Sequence, residues 1–457
     1  MKKSILLLFI VAVLCSSSFG QPFTTYQTFS AVVNNGVSSS SSVQYERTIG
    51  MYPERTVTCY EVDISGSNIG YVTIALNTQD ANTYSLYPII MIRDMVQRGN
   101  SDTVYFCGTR RDVQYDSVGV MGYFLVDASG QLHDMNYIDI VEVGVLTDLV
   151  VVSHGGRVVT AAIGKKKVGG VESYYLAKAY KSSIVGNWEY DIAPLPERDP
   201  VDIVATDGYV AVVSTDHMNK VVIRKFLLQN LDDGVRDTRY EYNFAESVPF
   251  GPMLAFVGQE GIVDGENRVA MSFMGLRNNI EWRTYLKIVD LDNMSIVNSQ
   301  SHHMSERNFP MGITYLSKYK QVALLEFFDP DYQYICPTVV LFDPNRVQNY
   351  FSGKLWGNSN KDWHSLSSLR ETATGSGYFV CGGVVPSKIY YQTHDAGTST
   401  PSVCINRSDI AITMDQAVNP VSINSPLTQS HSIEPLHYVT SSYQTKLFQN
   451  KCFQSFE

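Results

Sequence analysis

Three aspartates recur at a fixed interval. Asp94, Asp148 and Asp202 stand 54 residues apart, in the matching pentads Ile92-Arg93-Asp94-Met95-Val96, Leu146-Thr147-Asp148-Leu149-Val150 and Pro200-Val201-Asp202-Ile203-Val204. Carboxylates at one level of a repeated unit have three uses. They can surround a hard cation such as Ca²⁺, which takes oxygen ligands. A pair can act as acid and base on a glycoside. Each can instead accept backbone N–H groups and tie neighbouring units together. Later copies, at Pro252-Met253-Leu254, Pro310-Met311-Gly312 and Trp363-His364-Ser365, lack the carboxylate, so no full ring of aspartates forms.

Aromatic residues in inter-strand segments are the second chemical feature. Trp282 follows Asn278-Asn279-Ile280-Glu281, and Tyr332 and Tyr334 sit in Asp329-Pro330-Asp331-Tyr332-Gln333-Tyr334. Trp188 and Tyr190, and Trp356 and Trp363, occupy comparable segments. Exposed aromatic faces can stack on sugars or anchor a protein partner. Asp94, Asp148, Asp202, Trp282, Tyr332 and Tyr334 are therefore the candidate ligand-binding residues. His302-His303 reads as a polar loop. The chain carries no GxSxG elbow, phosphate loop, HExxH or CxxC, which removes local support for a serine hydrolase, a nucleotide enzyme or a zinc site. No cofactor motif is present, and Ca²⁺ is the one ion the aspartates would suit.

These residues sit in a repeat. Short runs rich in Val, Tyr, Phe and Ile recur: Arg55–Val62, Thr103–Thr109, Arg157–Ile163, Tyr209–Thr215, Arg268–Met274, Gln321–Phe327 and Tyr378–Gly383. Aligned on their central Val or Phe, they step by 47, 54, 52, 59, 53 and 57 residues. Partner runs follow at Gly122–Asp127, Ser173–Tyr180, Lys220–Leu227, Thr284–Asp290, Thr338–Asp343 and Lys388–Gln392. Gly, Asp, Asn and Pro bound most of them, which marks strands and turns rather than helices. The aspartate pentads supply a third strand ahead of each first run, and the interval leaves room for a fourth.

Units of this size, repeated seven times, predict an all-β fold: a seven-bladed β-propeller with four-stranded antiparallel blades over 37–420. A single blade cannot bury both faces, so radial stacking must supply the core. Residues 21–36 are an N-terminal tail. Residues 421–457 are a closing segment, and strands from both chain ends are expected to close the ring.

Residues 1–20 read as a signal peptide, with Lys2 and Lys3 before an apolar Ile5–Leu14 core and small residues at Ser18 and Gly20. A lipoprotein signal on Cys15 is the rival, disfavoured by bulky Leu14. Without these residues the chain has 33 basic and 45 acidic residues, net −12. That balance excludes a phosphate-backbone binder, so no nucleic-acid partner is expected. Lys165-Lys166-Lys167 is the one basic run and reads as a solvated turn. No later run is long enough to span a bilayer. Six cysteines remain (Cys59, Cys107, Cys336, Cys381, Cys404 and Cys452), as local staples or buried thiols. Asn293-Met294-Ser295 and Asn406-Arg407-Ser408 match the glycosylation triplet.

Runs such as TVYFCGT followed by VGVMGYFLVD, and GYFVCGG followed by KIYYQTHD, resemble blades of exported bacterial β-propeller proteins. The likeness covers roughly residues 37–420. It lacks both the WD dipeptide and the sialidase box Ser-x-Asp-x-Gly-x-Thr-Trp. It implies a secreted or envelope location and a rigid scaffold that presents loops to a glycan or protein. A carbohydrate-active hydrolase or lyase with carboxylates at the axial mouth is the alternative.

Overall fold

The computed structural model describes residues 25–30 and 42–450, apart from 52–54, 65–66, 76–79, 87–89, 98–100, 112–116, 155, 182–186, 196–197, 207, 216–219, 229–236, 243–249, 258–266, 278–280, 303–307, 318, 329–335, 345–349, 356–367, 372–376, 385–387, 396–404, 411, 415–420, 425–428, 434–435 and 438–439. The described residues are all-β. None of them forms a helix long and apolar enough to cross a membrane.

The first strand, β1 (Thr25–Ser30), stands apart in sequence. Four strands then pair in chain order: β2 (Ser42–Met51), β3 (Arg55–Ile64), β4 (Ser67–Ala75) and β5 (Asp80–Leu86). A second antiparallel set is β6 (Ile90–Gln97), β7 (Thr103–Arg110), β8 (Val118–Val126) and β9 (Leu132–Ile140). A third is β10 (Val145–His154), β11 (Arg157–Val168), β12 (Val171–Lys181) and β13 (Trp188–Leu195). The fourth is β14 (Arg198–Ala205), β15 (Tyr209–Thr215), β16 (Val221–Leu227) and β17 (Asp237–Tyr242). The fifth is β18 (Phe250–Phe256), β19 (Arg268–Arg277), β20 (Glu281–Asp290) and β21 (Ser295–His302). The sixth is β22 (Asn308–Leu316), β23 (Gln321–Phe328), β24 (Cys336–Phe342) and β25 (Tyr350–Leu355). Finally β26 (Ser368–Glu371), β27 (Gly377–Val384) and β28 (Lys388–Asp395) pair in order, and β1 adds to β28.

The remaining strands run back along the outer edges in reverse order. β29 (Ile405–Ile410) pairs with β25, and β30 (Ile412–Met414) with β21. β31 (Val421–Asn424) pairs with β17, β32 (Gln429–Ile433) with β13, and β33 (Leu436–His437) with β9. β34 (Thr440–Asn450) pairs with both β5 and β1, joining the first and last sets into one nine-stranded sheet. An unpaired outer strand would offer free N–H and C=O groups to other chains, and this belt covers those edges.

The leading strands touch in series: β2 lies against β6, β6 against β10, β10 against β14, β14 against β18, β18 against β22, and β22 against β26. β2 also lies against β26 and β27. The cores sit between consecutive sheets. Along β11, Ala162 packs with Cys107 and Met121 of the second set, while Ala161 and Ile163 pack with Val210 and Val212 of the fourth. Along β15, Ala211 and Val213 turn the other way, onto Val269 and Met271. Side chains alternate with period two, so a strand buried on both faces reads as an unbroken apolar run. This is why the runs Thr103–Thr109, Arg157–Ile163, Tyr209–Thr215 and Arg268–Met274 stand out in the sequence: each is the second strand of its set.

Candidate functional site

The aspartates lie at a repeated irregularity. The register of the leading strand shifts between Ile92 and Asp94, between Leu146 and Asp148, and between Pro200 and Asp202. The same β-bulge occurs without an aspartate between Val43 and Tyr45, Phe250 and Met253, and Pro310 and Gly312. Leu149 and Leu254 each stand just after the bulge of a leading strand, and a carboxylate of the preceding sheet reaches each of their N–H groups. Asp94 Oδ2 accepts the Leu149 N–H of the next sheet at 3.0 Å. Asp202 Oδ2 accepts the Leu254 N–H of its next sheet at 2.7 Å. The first oxygen is used locally. Asp148 Oδ1 accepts the Leu149 N–H at 3.0 Å, and Asp202 Oδ1 the Ile203 N–H at 2.9 Å.

Asp94 is fully buried, while Asp148 and Asp202 are half-buried. Cys107 pairs with Asp94 across the ladder and is a free, buried thiol, and Cys59 is a second buried cysteine. Burial first, then the negative charges of Asp94 and Asp148, pushes the Cys107 thiol well up from its ordinary value. Such a thiol is a poor nucleophile, because the thiolate is the reactive form. Among the described residues no group of three or more His, Cys, Asp or Glu side chains could hold a metal ion.

The aromatic candidates separate. Trp282 is half-buried in β20, opposite Leu276. Tyr332 and Tyr334 lie outside the described residues, as do Trp356 and Trp363. Trp188 and Tyr190 are not exposed. Both belong to β13 and are buried, 2% and 4% accessible. The Trp188 indole donates to Asn136 Oδ1 at 3.3 Å and lies 6.2 Å from the Tyr123 ring. The Tyr190 hydroxyl donates to Glu142 Oε2 at 3.1 Å, and burial followed by the Glu142 charge raises its pKa. These two rings join the second and third sheets rather than facing a ligand.

One polar site was hidden in the sequence. His302 is the last residue of β21, not part of a solvated loop. Its Nε2 lies 2.8 Å from Glu326 Oε1, and both side chains have no solvent exposure. The imidazole also lies 5.7 Å from the Phe342 ring. His302 Nδ1 and Glu326 Oε2 have no hydrogen-bond partner. His302 ends a row on one face of β21 that reaches the sixth sheet. Asn298 Nδ2 donates to the Pro344 carbonyl at 2.8 Å, and Gln300 Nε2 to the Asp343 carbonyl at 3.1 Å. The signal was the alternation Asn298, Gln300, His302, which marks a polar strand face. The facing residues of the other sheet leave no such local trace.

No known family profile matches the chain, and no curated protein is significantly similar to it.

Proposed function

We propose that the chain is an exported seven-bladed β-propeller that works as a binding scaffold, presenting connections from one end of its blades to a glycan or protein ligand. Seven sets of strands at a steady interval support the architecture. So does the cyclic series of contacts among the leading strands, which returns from β26 to β2. The closing blade is then completed by β1 from one chain end, and both ends meet on β34. The leader-like residues 1–20 support a secreted or envelope location.

The fate of the aspartates carries the functional reading. A glycosidase needs carboxylates that converge on an open cleft, one of them free to exchange a proton. Here the oxygens of Asp94, Asp148 and Asp202 accept backbone N–H groups along successive leading strands. This favours a clasp over an acid–base pair, and a rigid scaffold over a hydrolase or lyase. The ligand contacts then fall to the aromatic connections. Trp282 follows the link from β19 to β20, and Tyr332 and Tyr334 lie in the equivalent link from β23 to β24.

A glycan-array and pull-down screen of the wild type beside Trp282→Ala and the pair Tyr332→Ala/Tyr334→Ala tests this. Loss of a ligand with an unchanged melting temperature is the expected result. A hydrolytic or lyase activity that disappears in D94N/D148N/D202N while the fold persists would replace the scaffold with the carbohydrate-active enzyme.

A further inference from the structure

We propose that the hairpin of β11 and β12 is a membrane-docking device, its apolar apex entering the interface of an anionic lipid surface. β11 is the longest described strand, at 12 residues, and pairs with β12 through to Val168 and Val171. Gly169 and Gly170 close the hairpin with φ of 59° and 88°, the left-handed pair that a tight two-residue turn demands. A Cβ added to either glycine would touch nothing. The apex therefore stands clear of the rest of the protein. Val168 and Val171 flank it at 65% and 68% exposure, the most exposed large apolar side chains among the described residues.

The rungs behind the apex carry charge. Lys167 pairs with Glu172, Lys166 with Ser173, and Lys165 with Tyr174. Glu172, the one acidic residue on this part of the hairpin, is engaged by Lys165 Nζ at 3.2 Å and by the Tyr174 hydroxyl at 3.0 Å. Lys166 Nζ donates to the Val141 carbonyl at 2.6 Å, which brings the exposed Val141 beside the stem. Three lysines against one glutamate give this hairpin a positive charge on a chain of net −10.

This order suits a lipid interface. Hydrocarbon accepts two valines without a shaped pocket, and lysines about 3.3 Å per residue further back lie level with the headgroups. An acidic protein would use the lysines but would have no need of an apolar apex in front of them. The hairpin links the second and third strands of its set, as do the connection just before Trp282 and the one that contains Tyr332. Docking would therefore turn that end of the molecule towards the membrane.

The test is sedimentation of the full chain with vesicles of phosphatidylcholine alone and of phosphatidylcholine mixed in equal parts with phosphatidylglycerol. The wild type is expected to sediment with the anionic vesicles and to be released by salt. V168S/V171S is expected to lower partitioning at least about ten-fold. Glutamine at positions 165, 166 and 167 should lower it by roughly five-fold per charge removed. These side chains lie outside the core, so the melting temperature should not move. Failure of the wild type to bind, or equal binding by V168S/V171S, overturns the proposal. Lysine-dependent binding to polyglutamate, with vesicle binding indifferent to V168S/V171S, also overturns it and assigns the hairpin to an acidic protein.

Discussion

Asp202 reaches from the fourth sheet to the fifth, where its Oδ2 accepts the Leu254 N–H at 2.7 Å, and Asp94 makes the same link from the second sheet to the third through Leu149. Both links start at a bulge and end on the leading strand of the neighbour. A carboxylate accepting a backbone N–H is a charge-assisted bond, stronger than a neutral one. Removing Asp202 takes the carboxylate from the Leu254 N–H, and removing Asp94 leaves the Leu149 N–H with Asp148 Oδ1 alone.

Asp94→Ala and Asp202→Ala are therefore expected to destabilise the protein by about 1.5–3 kcal/mol each. Asp94 should be the more costly, because it is fully buried. Urea unfolding at neutral pH measures this as a lower midpoint. An unchanged midpoint for Asp94→Ala would remove the clasp and reopen the ligand-binding reading.

The His302–Glu326 pair gives a different pattern. His302→Ala leaves the Glu326 carboxylate buried with no partner, which costs roughly 3–5 kcal/mol. Replacing both residues with leucine removes the polar groups together and should recover most of that loss. A double-mutant cycle by denaturant unfolding distinguishes the two cases. If H302L/E326L is as unstable as His302→Ala, packing around Phe342 rather than the polar pair governs the site.

The fold was legible where both faces of a strand are buried. Ala161, Ala162 and Ile163 show this, because alternate residues serve different cores and the run reads as continuously apolar. The aspartates were visible because the bulge recurs at a constant interval. The belt from β29 to β33 was not legible. Its strands are two to six residues long, and they are fixed by pairing with edges far away in sequence. Glu326 was hidden for the same reason, since its partner lies in another sheet, 24 residues away. Trp188 misled because its link to Asn136 spans two sheets, so the sequence around it looks like a loop.

Cys59 and Cys107 should resist alkylation in the folded protein. Both are buried, and the folded Cys107 holds its proton to a higher pH than the ordinary value of 9.0. Treatment with iodoacetamide followed by peptide mass spectrometry should show modification of these two residues only when denaturant is added. The same shift sets a pH trend. The stability that protonated Cys107 contributes is complete below the unfolded thiol pKa and is lost as pH rises above it. Cys107→Ser should flatten that alkaline fall. Rapid modification of Cys107 under native conditions would contradict its burial between the second and third sheets.

Asp127 supplies the opposite sign at the acid end. Its Oδ1 accepts the Ser129 hydroxyl at 2.7 Å and the Gln131 N–H at 2.9 Å, and its Oδ2 lies 2.9 Å from His133 Nε2. The Ser129 hydroxyl contributes most, followed by Gln131 and His133, and together they hold the carboxyl well below its ordinary 3.8. A depressed acid contributes stability above its unfolded pKa and loses it as pH falls through the folded one. The turn from β8 to β9 should therefore stay formed to a lower pH than an unassisted aspartate would allow. The Asp127 carboxyl carbon, followed by NMR, should show no titration until well below pH 3.8. Ser129→Ala removes the largest contribution, so its titration should move up towards the ordinary range while the rest of the spectrum stays in place. A wild-type midpoint at the ordinary value would mean that the Ser129 and Gln131 bonds do not persist in solution.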